Sequence, residues 1–213
     1  MEHSLLSVLA EKEPSLSVDI RDRIILFHEI IKKENEVQNL TRLSSPLDFY
    51  YGHFLDVWEL LKTRWMVYPA LDIGSGAGVP GLLASLMEKG TWILSESEKR
   101  KAEYLQRTVM ELGLQDSVQV TSLRAETYLK QNQVSTLIAR AVGPVDRIYP
   151  WFKEIQHCST WNNLILFKGP RWEEEWKRFK DSPFKDELVI HKVHEYFVGP
   201  ENKRRILVWL TRA

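Results

Sequence analysis

Leu71-Asp72-Ile73-Gly74-Ser75-Gly76-Ala77-Gly78-Val79-Pro80-Gly81 runs the end of an apolar strand directly into four glycines within eight residues. Ala70 to Ile73 reads as the close of a buried strand. Pro80 suits the first position of a helix, where its missing N–H has no partner to lose. The turn between them carries almost no side chains. Glycine admits positive φ and lets another molecule lie against the backbone, so a turn this bare at the carboxyl end of a strand marks a cofactor crevice. One or two glycines would suffice for tight strand–helix packing; four exceed that need.

Two patterns compete for the stretch. Gly76-x-Gly78-x-x-Gly81 matches the dinucleotide fingerprint, and Glu96 follows at roughly the ~20-residue distance of a ribose-binding carboxylate. Counted from Gly74, the first residue after the strand, the third fingerprint position is Val79 rather than glycine. Asp72-x-Gly74-x-Gly76-x-Gly78 instead resembles the S-adenosylmethionine loop of class I methyltransferases. That cofactor carries no phosphate.

Composition permits a single domain with an appendage. The chain has 213 residues, 44% of them hydrophobic, enough to bury roughly 70% of its unfolded surface. Its 29 basic and 29 acidic residues cancel, so any nucleic-acid contact has to come from a local patch. A lone Cys158 excludes internal disulfides and multi-cysteine zinc sites, and reads as a small buried hydrophobe. Met-Glu-His followed by polar, helix-like sequence is no signal peptide, and no apolar run approaches the ~20 residues of a membrane span. The expectation is a reducing, cytoplasmic setting, with no metal.

Periodicity divides the chain. Ile20, Ile24, Phe27 and Ile31 recur at helical spacing, as do Tyr50, Phe54, Val57 and Leu61 after Pro46, so residues 1–65 read as a helical extension. Residues 66–213 then alternate: strand to Ile73, helix Pro80–Lys89 stopped by Gly90, strand Thr91–Leu94, helix Glu98–Leu112 stopped by Gly113. Strand Val118–Leu123, a short helical piece at Tyr128, strand Thr136–Ala139, a helix around Val145–Ile155 and strand Leu164–Phe167 continue the pattern. Such alternation predicts a parallel sheet covered on both faces. Leu188–Val198 and Arg204–Leu210, joined by Gly199-Pro200-Glu201-Asn202, read as a closing hairpin.

Asn39-Leu40-Thr41, His53-Phe54-Leu55-Asp56, the glycine stretch, Lys99-Arg100, Arg124-Ala125-Glu126, Arg140-Ala141 and Lys168-Gly169, in this order, resemble the glucose-inhibited division protein B (RsmG) family across nearly the whole chain. The resemblance implies a class I methyltransferase fold, an α/β Rossmann-like doubly wound sheet of about seven strands with the last antiparallel, behind an N-terminal helical extension. It also implies transfer of a methyl group from S-adenosylmethionine to N7 of a guanosine in 16S ribosomal RNA, naked or within the small ribosomal subunit; a monomer is expected.

Carried over, the resemblance puts Gly74, Gly76 and Val79 beside the cofactor, Ala125 and Glu126 near its adenine, and Arg140 near its methionine end or the substrate. Lys168 is a second substrate-side candidate. The cofactor-side positions lie just past successive strand ends, where open α/β sheets bind ligands. The family's acidic residue at the end of the second strand is replaced by Ser95, leaving the ribose to Glu96 by a one-residue slip or to Ser95 itself. Asp72 either organises the glycine turn through backbone N–H groups or touches the cofactor. His53 and Asp56, three apart on a helix, read first as a mutual hydrogen bond and second as substrate-facing. Lys99 to Lys101 and Lys203 to Arg205 are solvated faces or RNA-phosphate contacts. His191 and His194 read as pointing to opposite faces of a strand, and none of the eight tryptophans is singled out as a stacking platform. Guanine N7 has no proton to lose, so no general base is required, and alignment can supply much of the acceleration. The alternatives are a methyltransferase acting on another RNA or a small molecule, a nicotinamide oxidoreductase, for which no Tyr-x-x-x-Lys proton donor stands out, and a non-catalytic RNA-binding module, which would be expected to have lost glycines that this loop keeps.

Overall fold

Strand residues alternate between two apolar cores, and this alternation organises the molecule. The computed structural model describes residues 4–153, 155 and 160–213; Cys158 and the three N-terminal residues lie outside them. Strands β1 (Ala70–Ile73), β2 (Trp92–Ser95), β3 (Val118–Thr121), β4 (Thr136–Arg140) and β5 (Asn163–Lys168) are followed by β6 (Leu188–Val198) and β7 (Lys203–Arg212). They form one seven-stranded sheet in the order β3-β2-β1-β4-β5-β7-β6. β1 to β5 are parallel, and β7 lies antiparallel to both β5 and β6. Ile138, Ile165 and Leu207 point to one core, Leu137, Leu164, Leu166, Ile206 and Val208 to the other, as the period of two requires.

The first core is closed by α5 (Gly81–Ser85), α6 (Lys99–Glu111) and the N-terminal helices α1 (Leu5–Lys12), α2 (Val18–Gln38), α3 (Pro46–Phe49) and α4 (Leu55–Thr63). A π-helical turn, Tyr50–Phe54, joins α3 to α4. The second core is closed by α7 (Ala125–Tyr128), α8 (Val145–Lys153) and α9 (Trp172–Lys180). Local chemistry sets the boundaries. Ser17 and Ser45 accept the Ile20 and Asp48 N–H groups as N-caps, and Pro46 occupies the first turn of α3.

Two helices depart from the sequence reading. The helix expected over Pro80–Lys89 is only Gly81–Ser85, with Pro80 as its cap. Gly90 is therefore no helix stop: a Cβ there would fall 2.4 Å from the Tyr68 ring, so close packing requires the glycine. Helix α9 is additional, its aromatic residues Trp172, Trp176 and Phe179 at helical spacing within charged sequence.

Candidate functional site

Strand register levels the carboxyl ends of the inner strands, because Ile73 lies opposite both Ser95 and Ala139, and Ser95 opposite Thr121. Chain direction away from β1 reverses between β2 and β4, creating the switch point at which such sheets bind ligands. The glycine turn leaves from there. Gly74 and Ser75 donate N–H bonds to the Ser95 carbonyl at 2.9 and 3.1 Å, and Gly78 donates to the Ser75 carbonyl at 2.7 Å. Gly76 donates to Glu96 Oε2 at 3.0 Å, whose Oε1 accepts the Glu98 N–H at 2.8 Å. Asp72, fully buried, accepts the Gly81 N–H at 2.9 Å. Burial pushes its carboxyl up to about 7, against the pull of that hydrogen bond.

These bonds select the cofactor class. A dinucleotide loop turns free N–H groups and a helix N-terminus toward a pyrophosphate. Here the N–H groups of Gly74, Ser75, Gly76 and Gly78 already have protein acceptors, and the Asp72 carboxylate occupies the start of α5. None of these four amides is left free for an anion; a cofactor without phosphate fits.

Two hollows meet at the turn. A cavity of about 160 Å³ is bounded by Gly74, Ser95, Ser97, Ala125, Glu126 and Trp151. A groove of about 610 Å³ runs past Thr41, Arg42, His53, Gly76, Val79 and Arg140. Gly74 and Val142 line both. Gly74 has φ +67°, and a Cβ on it would sit 3.3 Å from Val142 Cγ2, so glycine keeps the passage open. A larger hollow, about 760 Å³, lies on the N-terminal helices away from the turn.

Of the sequence-derived site residues, Gly74, Gly76, Val79, Ala125, Glu126 and Arg140 line this double crevice. Glu96 lies beneath the turn, 8% exposed, with both carboxylate oxygens on backbone donors. Ser95 lines the cavity, its hydroxyl donating to the Leu123 carbonyl at 2.9 Å.

His53 and Asp56 do not bond each other as expected; each binds Arg140. The guanidinium donates to His53 Nδ1 at 2.9 Å and to the Gly52 carbonyl, and its Nε lies 3.2 Å from Asp56 Oδ2. Since Nδ1 accepts, the proton resides on Nε2, 3.1 Å from Thr41 Oγ1. Burial, reinforced by Arg140, holds the His53 ring down to about 3, so it is neutral at physiological pH. Tyr196 donates to Asp56 Oδ1 at 2.8 Å; burial raises the Asp56 carboxyl while Arg140 opposes the rise. Residues of the π-turn and α4 thus clamp an arginine at the end of β4, and Tyr196 backs the clamp.

The model for "rRNA small subunit methyltransferase G" matches residues 20–206. This chain belongs to that family. Relatives named Ribosomal RNA small subunit methyltransferase G include one from Nitrosomonas europaea, 30% identical over 92% of this chain and 91% of its own length. Another, from Carboxydothermus hydrogenoformans, is 31% identical over 98% and 91%. Among solved structures, the N-terminal domain of human METTL16 in complex with SAH superposes with a TM-score of 0.53, 14% identity and coverage of 97% of this chain and 93% of that one. A Streptococcus pneumoniae putative tRNA (m1A22) methyltransferase gives 0.54, 18% identity, 73% and 69%. The likeness establishes a Rossmann-like methyltransferase fold.

Lys168 lines neither hollow. Its ammonium is 2.5 Å from Glu175 Oε1 and 2.9 Å from the Gly143 carbonyl, with the side chain 9% exposed. Burial lowers its pKa against the pull of Glu175. Glu175 also accepts the Val145 N–H at 2.6 Å, so lysine and α9 together brace the loop behind Val142. Ser97, Trp151, Val142, Thr41 and Arg42 line the crevice without having been assigned roles from sequence; only Thr41, within Asn39-Leu40-Thr41, carried a signal. His191 lies against Trp209, ring centroids 4.2 Å apart, and His194 bonds Glu59 at 2.8 Å. No helix of the described residues is long and apolar enough to cross a membrane.

Proposed function

We propose that this protein transfers a methyl group from S-adenosylmethionine to N7 of a guanosine in 16S ribosomal RNA. Family membership supports the reaction, and one structural observation carries the cofactor assignment: the glycine turn satisfies its own N–H groups and Asp72 closes the start of α5. The smaller cavity, with Ala125, Glu126 and Gly74, receives the adenine. Glu96 holds Gly76 and, through a remaining carboxylate lone pair, takes a ribose hydroxyl. The groove past Gly76, Val79 and Arg140 receives the methionine end and the target base. Bound S-adenosylmethionine supplies an electrophilic methyl group on a sulfonium.

The residues act by alignment. The N7 lone pair lies in the guanine plane without a proton, so no side chain needs to act as base. His53, neutral with its Nδ1 lone pair directed at Arg140, is arranged for positioning. Methylation leaves a positive charge on the base, which disfavours a cation against N7. Arg140 keeps further N–H groups on its terminal nitrogens, suited to guanine O6 or the cofactor carboxylate. Lys168 acts on this reading by holding the loop that carries Val142. The helical extension over 1–65 and the methyltransferase domain over 66–213 work as one unit, since Phe27, Phe54 and Leu60 share a core with Leu83, Ile138 and Leu207. A cytoplasmic monomer acting on the small subunit completes the reading. Incubating the protein with methyl-labelled cofactor and small subunits lacking the modification, then digesting the RNA, tests it: 7-methylguanosine is expected, and label on any other atom or none overturns it.

A further inference from the structure

A second chamber adjoins the methyl-transfer groove, on the far side of the wall made by Leu43 and Gly52. It is a cavity of about 300 Å³ between the π-turn and the β6–β7 turn, with Tyr51, Pro200, Lys203 and Arg205 on its surface. Leu43 lines both hollows, and the Gly52 carbonyl at the chamber accepts from Arg140 of the groove. The two spaces are thus one residue apart.

We propose that this chamber holds the nucleotide next to the methylated guanosine, its base stacked on Tyr51 and its phosphate on Arg205 and Lys203. The inference rests on the RNA-methyltransferase reading of the groove. A guanosine drawn into the groove leaves the stack, and its neighbour loses a stacking partner. Proteins that take single-stranded RNA replace that partner with an aromatic face and follow the backbone with cations. Tyr51 is half-buried, its ring within reach of Gly199, where a Cβ would stand 3.9 Å from Tyr51 Cγ. Arg205 lines the chamber, its side chain 35% exposed and its Nε 3.9 Å from Asp56 Oδ1. Lys203 is 65% exposed and 3.0 Å from Glu201. Asp48 and Glu201 also border the chamber. Their carboxylates accept hydrogen bonds only, so they favour a base bearing an amino group.

Methyl-transfer kinetics on small ribosomal subunits lacking the modification, paired with calorimetric titration of S-adenosylhomocysteine, test this. Tyr51→Ala is expected to raise KM for the subunit about tenfold or more, with kcat and S-adenosylhomocysteine affinity within twofold of the unsubstituted protein. Tyr51→Phe keeps the ring and is expected to restore KM. Lys203→Gln, at the exposed first residue of β7, is expected to lower the salt dependence of subunit affinity by about one phosphate contact. An unchanged KM in Tyr51→Ala, an elevated KM in Tyr51→Phe, or an unchanged salt slope in Lys203→Gln would overturn the chamber while leaving the reaction standing. If Tyr51→Ala loses S-adenosylhomocysteine binding, the Tyr51→Phe and Lys203→Gln results decide. Absence of methyl transfer by the unsubstituted protein would overturn the reading of the groove and the chamber with it.

Discussion

Replacing His53 by Gln separates a positioning histidine from a catalytic base. In the folded protein the ring is held down to about 3, against an ordinary value of 6.5, by burial first and by the Arg140 charge second. The native state therefore binds the proton less readily than the unfolded chain. The resulting stability is fully present above pH 6.5 and is lost as pH falls below that value toward 3. At pH 4.5, two units below the unfolded value, the loss is about 3 kcal/mol. Gln at this position accepts from Arg140 and donates toward Thr41 without titrating. It forfeits the edge contact with Phe49, whose ring centroid lies 5.7 Å away, at a cost of about 1 kcal/mol near neutrality. Urea unfolding from pH 7.5 to 4.5 should show the unsubstituted protein losing about 3 kcal/mol more than His53→Gln. His28, also buried and held below its ordinary value by desolvation, contributes an acid loss common to both. Single-turnover methyl transfer should be flat from about pH 6 to 8.5 in both proteins, because a base would impose a tenfold change per unit on its limb. His53→Gln should lower the rate by a factor independent of pH. Parallel stability slopes would refute the buried neutral ring. A steep acidic limb abolished by His53→Gln would refute N7 as the acceptor.

Three further outcomes are expected. S-adenosylmethionine should bind in preference to NAD in calorimetric titration, and tighter NAD binding would undo the argument from the self-satisfied glycine turn. Gly74→Val should reduce cofactor affinity more than a hundredfold while the protein still unfolds cooperatively, because a side chain at φ +67° meets Val142 in the shared passage; undiminished affinity would show that the cofactor does not cross Gly74. Glu96→Ala should weaken cofactor binding by roughly ten- to a hundredfold, since it frees the Gly76 N–H and removes a charged acceptor worth on the order of 1.5–3 kcal/mol. A silent Glu96→Ala beside a damaging Ser95→Ala would move the ribose to Ser95.

Features that depend on a few adjacent residues were legible in the sequence. The glycine turn declared itself because positive φ is a property of single residues, and the alternation of strands and helices because periods of two and 3.6 are local. The closing hairpin was legible for the same reason, with Gly199-Pro200-Glu201-Asn202 between two β-rich runs. Helix α9 escaped because only Trp172, Trp176 and Phe179 mark its buried face among charges. The shortening of α5 lies at its carboxyl end, where the Met87 and Glu88 N–H groups both turn back to the Ala84 carbonyl and the Tyr68 hydroxyl, twenty positions earlier, donates to Glu88; no propensity encodes such contacts. The contacts of the site lie further still. Arg140 meets His53 across 87 positions and the Gly52 carbonyl across 88, while Tyr196 meets Asp56 across 140. Sequence placed Arg140 at a strand end and His53 on a helix; only the docking of the extension against the sheet, driven by burial of Phe27, Phe54 and Leu60, set one against the other. Sequence offered Lys168 as a substrate-side candidate without showing the Glu175 carboxylate that the fold sets 2.5 Å from its ammonium, because whether a charge faces solvent or a partner depends on what packs opposite, and the chain order does not contain that.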